Sequence, residues 1–336
     1  MRVLLVKTSS MGDLIHTFPA LTDAGKAIPG IQFDWLVEKN FASIPAWHPL
    51  VNKVIPVALR KWRKNIFAKE TRAEWKQMLS QLRATNYDLI IDAQGLVKSG
   101  FVTYFAKGTR AGLDWSSARE ALASLFYQKK YTVNFYQHAV VRMRSLFSLA
   151  LGYSLPTSAP DFGLNRALFS KQQNDYLVFL FGTTWNTKQW PEQYWIELAN
   201  LAGKAGLRVK LSGGNADEMA CAERIAKQSS AIDVIPRLDI PGMAALLANA
   251  NGVVAVDTGF GHLAAALNVP TVSLYGPTNP EYTGALGDRS IQLAAKFPCA
   301  PCLSRTCTYK EPSVVTPACY ATLQPMRVWD ELKRMI

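Results

Sequence analysis

Long apolar runs are missing from this chain of 336 residues. No stretch approaches the roughly 18 consecutive apolar residues that a membrane-spanning helix needs. Arg2 is followed by only four apolar residues before Lys7, which is too short for a secretory signal. Charged residues make up only 18% of the chain, which argues against long disordered segments. We therefore expect a folded, cytoplasmic protein that at most touches a membrane from that side.

Two common nucleotide-binding signatures are also absent. Neither half of the chain contains a clean G-x-G-x-x-G, and no G-x-x-x-x-G-K is present. These loops hold the phosphates of dinucleotides and of nucleoside triphosphates. Their absence argues against an ordinary dehydrogenase and against an NTPase.

Cysteine is scarce, with five residues, and four of them cluster late in the chain. Cys221 stands alone in a predicted helix, where it suits a small core position. The cluster comprises Cys299, Cys302, Cys307 and Cys319. A reducing compartment argues against structural disulfides. The Cys-x-x-Cys pair suits zinc, but the wider spacing after it fits no common zinc finger. A zinc site and a reduced cluster that packs a loop both remain open.

Positive charge is in excess. The chain has 37 lysines and arginines against 25 aspartates and glutamates, a formal net charge of +12. Such a balance favours an anionic partner. Nucleic acid, an anionic membrane surface and a phosphorylated substrate are the classes to consider.

The order of predicted elements indicates two α/β domains. Residues 3–6 read as a buried strand, residues 7–13 as a small-residue turn, and the apolar spacing after them as a helix. The same alternation recurs up to a Pro- and Gly-containing linker at 155–164 and restarts with a strand at 176–181. Helices are expected at 117–127 and 136–151. We predict two Rossmann-like domains, 1–160 and 161–325, with parallel sheets facing a central cleft, and a C-terminal helix at 326–336.

Asp13 is the acidic residue of the first turn. Ligands of open α/β sheets bind at the carboxyl ends of the strands, and this turn lies at such an end. A carboxylate there can take a proton from a substrate hydroxyl, which contributes typically 10²–10⁴-fold to a rate. The alternative is that Asp13 only caps the helix that follows.

The second half contains a candidate anion site. Asp257, Thr258 and Gly259 join a predicted strand to a predicted helix that carries His262. A helix N-terminus with a hydroxyl and glycines suits phosphate. The alternatives are that Asp257 is a helix cap and that His262 is an ordinary helix histidine.

Further donor candidates follow two other predicted strands. Thr183 and Thr184 precede Lys188, and hydroxyls with one ammonium suit a pyrophosphate. Glu218 lies about where an acid binds a ribose in nucleotide-binding folds. An exposed polar loop and a surface glutamate are the alternatives. In the first half, cations that could hold an acidic acceptor include Arg60, Arg63, Lys64 and Arg119. Taken alone, such a set is also typical of a solvated face.

Several segments carry a family resemblance. They are residues 7–23 (KTSSMGDLIHTFPALTD), 92–99 (DAQGLVKS), 188–191 (KQWP), 256–262 (VDTGFGH) and 275–278 (YGPT). Together they resemble the lipopolysaccharide heptosyltransferases of glycosyltransferase family 9 over nearly the whole chain. The opening segment is similar to that of the members that add the first heptose.

This resemblance implies a GT-B fold with an acceptor-binding N-terminal domain and a donor-binding C-terminal domain. It implies transfer of L-glycero-D-manno-heptose from ADP-heptose to a Kdo residue of Kdo2-lipid A, with inversion and with no metal or cofactor. Asp13 would then be the general base. The donor would be held by Thr183, Thr184, Lys188, Glu218, Asp257, Thr258, Gly259 and His262. The acceptor would be held by Arg60, Arg63, Lys64 and Arg119.

Two other functions remain as alternatives. The late cysteine cluster resembles the tail of heptosyltransferase II-like members, which favours an enzyme acting later in the core. The charge of +12 also suits a basic nucleic-acid-binding protein. No aromatic-interleaved binding motif supports that last alternative, and we expect no nucleic-acid partner.

Overall fold

The centre of the first sheet is the opening strand, whose residues Val3 to Val6 are fully buried. In the computed structural model, which describes residues 1–65, 67–169 and 175–336 except for the side chain of Arg63, the chain forms two compact units, Met1–Leu164 and Asn165–Ile336. Continuous apolar strands of this kind are typical of parallel sheets covered by helices on both faces.

The first unit alternates strands and helices. Its elements are β1 (Arg2–Val6), α1 (Met11–Ile15), α2 (Phe18–Ala27), β2 (Gln32–Glu38), β3 (Val51–Val57), α3 (Leu59–Lys64), α4 (Lys69–Arg83), β4 (Asn86–Asp92), α5 (Val97–Thr103), β5 (Lys107–Leu113), β6 (Lys129–Tyr131) and α6 (Ala139–Leu151). Short 3-10 helices cover Lys39–Phe41, Pro45–Trp47 and Ala121–Phe126. All strand pairs of its sheet are parallel, in the order β3-β2-β1-β4-β5-β6.

The second unit repeats this plan. Its elements are β7 (Tyr176–Leu180), α7 (Glu192–Lys204), β8 (Arg208–Leu211), α8 (Ala216–Ala226), β9 (Ile232–Val234), α9 (Ile240–Ala248), β10 (Gly252–Val256), α10 (Gly259–Ala266), β11 (Thr271–Tyr275), α11 (Pro280–Thr283), β12 (Ser290–Ala294) and α12 (Pro325–Lys333). Three further 3-10 helices are Arg166–Leu168, Asn186–Lys188 and Ala318–Thr322. The sheet is again parallel, in the order β12-β11-β10-β7-β8-β9.

Both sheets reverse their strand order next to their first strand. In the first unit the reversal lies between β1 and β4, and in the second between β7 and β10. The loops that leave neighbouring strands on the two sides of a reversal diverge and open a crevice, where α/β folds bind ligands. Each unit therefore has one favoured site, and the predicted α/β fold with two parallel-sheet, Rossmann-like domains is confirmed.

A buried ion pair ties two helices of the first unit together. Arg144 Nε on α6 donates to Asp23 Oδ2 on α2 at 2.6 Å, and both side chains are almost fully buried. Gly152 caps α6 and takes a left-handed conformation with φ of 77°. A glycine adopts this helix-terminating conformation without the steric cost of a Cβ atom.

Two predicted helices differ in the structure. The helix expected at 117–127 is a short 3-10 helix, Ala121–Phe126. Its expected start is instead a turn, because the Asp114 carboxylate accepts from the Ser117 N–H and the Ser117 hydroxyl accepts from the Val133 N–H. The last helix spans Pro325–Lys333 and packs on α7 within the second unit. No helix among the described residues has the length and apolarity to cross a bilayer.

Candidate active site

The opening turn is fastened to the turn after β4. Val6 pairs with Asp92 in register, so the two turns leave the sheet side by side. The Gln94 side-chain oxygen accepts from the backbone N–H groups of Thr8 (2.9 Å) and Ser9 (3.1 Å). Lys7 Nζ donates to the Ala93 carbonyl at 2.9 Å. The opening turn is thus held rigidly at the strand reversal of the first sheet.

Asp13 closes this turn from the first turn of α1. Its Oδ2 accepts from the Ser10 N–H (2.8 Å) and the Ser10 hydroxyl (2.7 Å). Burial by itself raises the pKa of Asp13, but the Lys7 ammonium, the Ser10 hydrogen bonds and His16 outweigh it, so the pKa lies below its usual value. The carboxylate is ionised at neutral pH. It serves as a cap and is also available as a proton acceptor.

Cations surround this turn. Arg60 Nη2 donates to the Ser9 hydroxyl at 3.4 Å, and the exposed Arg119 lies beside Gly95, next to the second turn. Arg142, on α6, interacts electrostatically with Asp13 and Lys7. Lys64 is exposed at the end of α3, and the side chain of Arg63 lies outside the described part of the structure. The structure therefore brings Arg60 to the opening turn and leaves Lys64 in solvent.

Asp257 is the centre of the candidate site in the second unit. Its Oδ2 lies 2.7 Å from Lys188 Nζ and accepts from the Thr278 hydroxyl at 2.9 Å. Its Oδ1 lies 3.7 Å from His262 Nε2. Burial by itself raises the pKa of Asp257, but His262 and Lys188 outweigh it and hold the pKa far below its usual value. The strand ends at the reversal between β7 and β10 therefore carry a buried carboxylate and a lysine.

The ammonium of Lys188 is positioned from several sides. The backbone carbonyl of Lys188 accepts a hydrogen bond from the Tyr320 hydroxyl at 2.8 Å, which fixes the 3-10 turn Asn186–Lys188. The ammonium lies 4.6 Å from the centroid of the Trp185 ring, a cation–π contact. The Lys188 ammonium therefore lies between the Asp257 carboxylate and an aromatic ring, where it can meet an anion.

Thr258 is the residue before α10. Its carbonyl accepts from the Gly261 N–H at 3.0 Å, and α10 begins at Gly259. The backbone N–H groups of a first helical turn and the helix dipole attract anions. Together with Lys188, this helix end is a candidate site for a phosphate group.

A cavity of about 220 Å³ is lined by Gly182 and by Gln189, the residue that follows Lys188. Glu218 lines it, and the Glu218 carboxylate accepts from the Gly214 N–H at 2.6 Å. A Cβ at Gly182 would lie 2.8 Å from the Glu218 Cδ, so a larger residue there would push the Glu218 carboxylate aside. Thr183 and Thr184 follow in the same loop, the first partly buried and the second exposed. The cavity and the anion site together could accept a nucleotide.

Comparison with known proteins identifies the family. The model of glycosyltransferase family 9 (heptosyltransferase) matches residues 75–312. Lipopolysaccharide heptosyltransferase 1 of Pseudomonas aeruginosa is 53% identical, over 100% of this chain and 98% of the relative. This chain belongs to glycosyltransferase family 9.

Other members of family 9 agree with this assignment. The lipopolysaccharide heptosyltransferase 1 of Escherichia coli K12 is 50% identical over 87% of this chain and 92% of its own length. The solved structure of E. coli heptosyltransferase WaaC with ADP-2-deoxy-2-fluoro heptose matches with a TM-score of 0.85 and 43% identity, over 99% of each chain. The predictions of a family 9 heptosyltransferase and of its fold are confirmed.

Sequence reasoning missed three residues of this family 9 site. Gln94 bridges the two turns of the first unit, Arg142 faces Asp13, and Thr278 completes the Asp257 network. Gln94 and Thr278 lie in segments that resemble family motifs, and this resemblance could have identified them as candidates. Arg142 had none, because its contact is made across 129 positions of the chain.

The late cysteines of this family 9 chain lie near one another. Cys299, Cys302 and Cys307 are exposed, Cys319 is buried, and all four line one small cavity. Burial is the main cause that raises the pKa of Cys319 to about 11, and the three nearby thiols add to it. In the ranges that the structure describes, no group of three or more His, Cys, Asp and Glu side chains is arranged to hold a metal ion.

Proposed function

We propose that this family 9 enzyme transfers L-glycero-D-manno-heptose from ADP-heptose to a Kdo residue of Kdo2-lipid A. The first unit binds the acceptor and the second binds the donor. The anomeric centre is inverted, and no metal or other cofactor takes part. The enzyme acts peripherally on the cytoplasmic face of the inner membrane.

The observation that carries this proposal is the level of identity to the different heptosyltransferases. Four relatives described as lipopolysaccharide heptosyltransferase 1 are 50–53% identical, and a fifth, from Campylobacter coli, is 25% identical. The lipooligosaccharide heptosyltransferase 2 of Haemophilus ducreyi reaches 26% over 87% of this chain and 88% of its own length. This difference favours the first heptose over a later one, despite the tail of cysteines.

The acceptor step uses the ionised Asp13. The Kdo hydroxyl oxygen attacks the anomeric carbon of the heptose, the bond from that carbon to the ADP oxygen breaks, and the hydroxyl proton passes to the Asp13 carboxylate. The low pKa of Asp13 makes it a weak base, but the hydroxyl becomes acidic as its oxygen bonds to the sugar. Arg60, Arg63, Lys64 and Arg119 attract the carboxylates and phosphates of the acceptor.

The donor step stabilises the departing ADP. Lys188, the hydroxyls of Thr183 and Thr184, and the N-terminus of α10 at Thr258 and Gly259 meet the developing negative charge of the diphosphate. Asp257 and His262 hold Lys188 and the donor sugar, and Glu218 binds the ribose. Such fixed charges act where charge develops in the transition state, and they can replace a metal ion in this role.

The test is a product measurement. The purified enzyme is incubated with ADP-heptose and either Kdo2-lipid A or the same acceptor already carrying one heptose, and the products are weighed by mass spectrometry. We expect one heptose to be added to Kdo2-lipid A and none to the second acceptor, at a rate that EDTA leaves unchanged. Addition only to the second acceptor would establish the later-acting alternative.

A further inference from the structure

Exposed apolar side chains form one patch on the first unit. Phe101 lies in the last turn of α5 and Tyr104 is the residue that caps this helix, while Leu122 and Leu125 stand three residues apart on the 3-10 helix Ala121–Phe126. Residues at this spacing lie on one side of their helix. Leu122 is 55% exposed and Leu125 is 66% exposed. We call these four residues the apolar platform.

The two helices of the platform are in direct contact. A Cβ at Gly100 would lie 2.8 Å from Phe126 Cδ2 and 3.2 Å from the Ala123 carbonyl oxygen, so α5 packs closely on the 3-10 helix. The Phe101 and Phe126 rings meet edge to face at 6.2 Å. Exposed apolar side chains held together on a rigid base are typical of an interaction surface.

Arg110 links the platform to cationic surroundings. Its Nε donates to the Phe126 carbonyl at 2.8 Å, and its guanidinium lies 5.3 Å from the Tyr104 ring centroid. Residues 93–136 contain six lysines and arginines and two acids. The cations are Lys98, Lys107, Arg110, Arg119, Lys129 and Lys130. The platform is therefore apolar at its centre and basic around it.

The two units differ strongly in charge. The first carries 21 lysines and arginines against 11 acids, a net charge of +10, while the second carries 16 against 14, a net charge of +2. The excess that attracts an anionic surface therefore belongs to the unit that carries the platform. An apolar face with basic residues around it is the combination that binds anionic bilayers, because insertion and charge attraction add.

We propose that the apolar platform docks this enzyme on an anionic lipid bilayer. Glu120, the residue before the 3-10 helix, donates its N–H to the carbonyl of Gly95, and Gly95 follows the Gln94 that holds the opening turn, so docking brings the bilayer towards the candidate acceptor site. Leu122, Leu125, Phe101 and Tyr104 enter the region between headgroups and acyl chains, and the surrounding lysines face the anionic headgroups. This inference deepens the proposed function, since it rests on a lipid-borne acceptor.

The experiment measures vesicle binding without any acceptor present. The wild-type protein and the double variant Leu122→Ser/Leu125→Ser are sedimented with vesicles of phosphatidylglycerol and phosphatidylethanolamine, and with vesicles of phosphatidylcholine alone. The matched control is Leu168→Ser/Val314→Ser, which replaces two exposed apolar side chains of the second unit. Leu168 is 71% exposed and Val314 is 85% exposed. Circular dichroism and size-exclusion chromatography check the fold and the oligomeric state of each protein.

We expect the wild type and the control to bind the anionic vesicles and the platform variant to bind at least about tenfold more weakly, as the loss of several buried methylenes predicts. Equal binding by the platform variant, or no binding by the wild type, would overturn the proposal. So would a wild type that is dimeric and a variant that is monomeric, because the platform would then be a protein interface.

A second measurement separates this inference from the proposed function. Heptose transfer is assayed on Kdo2-lipid A dispersed in neutral detergent, where no bilayer is needed. We expect the platform variant to retain the wild-type rate there and to lose at least about fivefold on acceptor embedded in anionic vesicles. An equal loss in both assays would contradict docking, and no transfer by the wild type in either would refute the proposed function alone.

Discussion

At the scale of single residues, Asp13 forms the cap that the sequence offered as one alternative, and its geometry is compatible with the proposed role as a base. Its carboxylate caps the turn through Ser10, and Lys7 and Arg142 provide its charged surroundings. A hydrogen-bonded, ionised carboxylate is held in one orientation. This is what a general base needs, and its position at the strand reversal of the first sheet is where ligands bind.

Replacing Asp13 by asparagine tests the base role while keeping the cap. The asparagine side-chain oxygen can still accept from Ser10, but it takes no proton. We expect kcat to fall about 10²–10⁴-fold and the Kd for ADP-heptose, measured by calorimetry, to stay within about twofold. A variant with near-normal kcat would show that another group accepts the proton.

The lowered pKa of Asp13 also sets the pH dependence. Because the pKa lies below the usual value of about 4, the base form persists as the pH falls, and kcat should show no loss from Asp13 between pH 8 and pH 5. A single-proton loss of kcat centred near pH 6 would assign the base to a different residue.

Lys188 is the charged residue to test in the second unit, as Asp13 is in the first. The variant Lys188→Gln removes the charge that we propose meets the diphosphate, and it leaves Asp257 without its ion pair to Lys188. Charged hydrogen bonds contribute about 1.5–3 kcal/mol, so we expect the Kd for ADP to rise at least about tenfold. Lys204→Gln makes the same charge change at the exposed end of α7 and should leave the Kd unchanged. Equal affinities for the two variants would remove Lys188 from the donor site.

At the scale of elements, the sequence predicted the strands and turns that are determined by a local pattern of residues. The apolar residues 3–6 followed by small residues gave β1 and its turn, and the same pattern gave the turns after β4 and β10. Those are the loops at the strand reversals, so the position of each candidate site followed as well. The edge strands β6 and β12 were not predicted, because Lys129–Tyr131 and Ser290–Ala294 show no continuous apolar run.

Contacts between distant residues were beyond the sequence pattern. The 3-10 helix Ala121–Phe126 replaces a predicted α-helix because Ser117 and Asp114 bond to neighbouring strands and turns instead. Likewise, Gln94 reaches Thr8 across 86 positions, and Thr278 reaches Asp257 across 21. Spacing along a chain carries no information about such partners.

The cysteine segment provides a prediction at this scale. Burial raises the pKa of Cys319 to about 11, and burial together with a hydrogen bond to Glu192 raises the pKa of Cys221 to about 12. Both thiols therefore form little of the reactive thiolate and should react slowly. The exposed Cys299, Cys302 and Cys307 should react with a maleimide at least about tenfold faster, as mass spectrometry of timed samples would show. Protection of these three thiols that a chelator removes would instead establish the zinc site left open by the sequence.

At the scale of the whole molecule, charge is divided unequally between the units. The net charges of +10 and +2 predict that the first unit attracts its anionic substrate over a distance, while the second relies on short contacts such as those of Lys188. Because salt shortens the Debye length from about 10 Å at 0.1 M to about 3 Å at 1 M, long-range attraction is screened far more than contact within a partly buried site.

The acceptor and the donor should therefore respond differently to salt. With a deacylated acceptor, which stays in solution as single molecules, we expect kcat/KM for the acceptor to fall at least about tenfold between 0.1 M and 1 M NaCl. The KM for ADP-heptose should change much less over the same range. Lys129→Gln/Lys130→Gln lowers the charge of the first unit and should flatten the acceptor dependence without changing that of the donor. Parallel salt effects on both substrates would mean that the charge asymmetry has no part in acceptor capture.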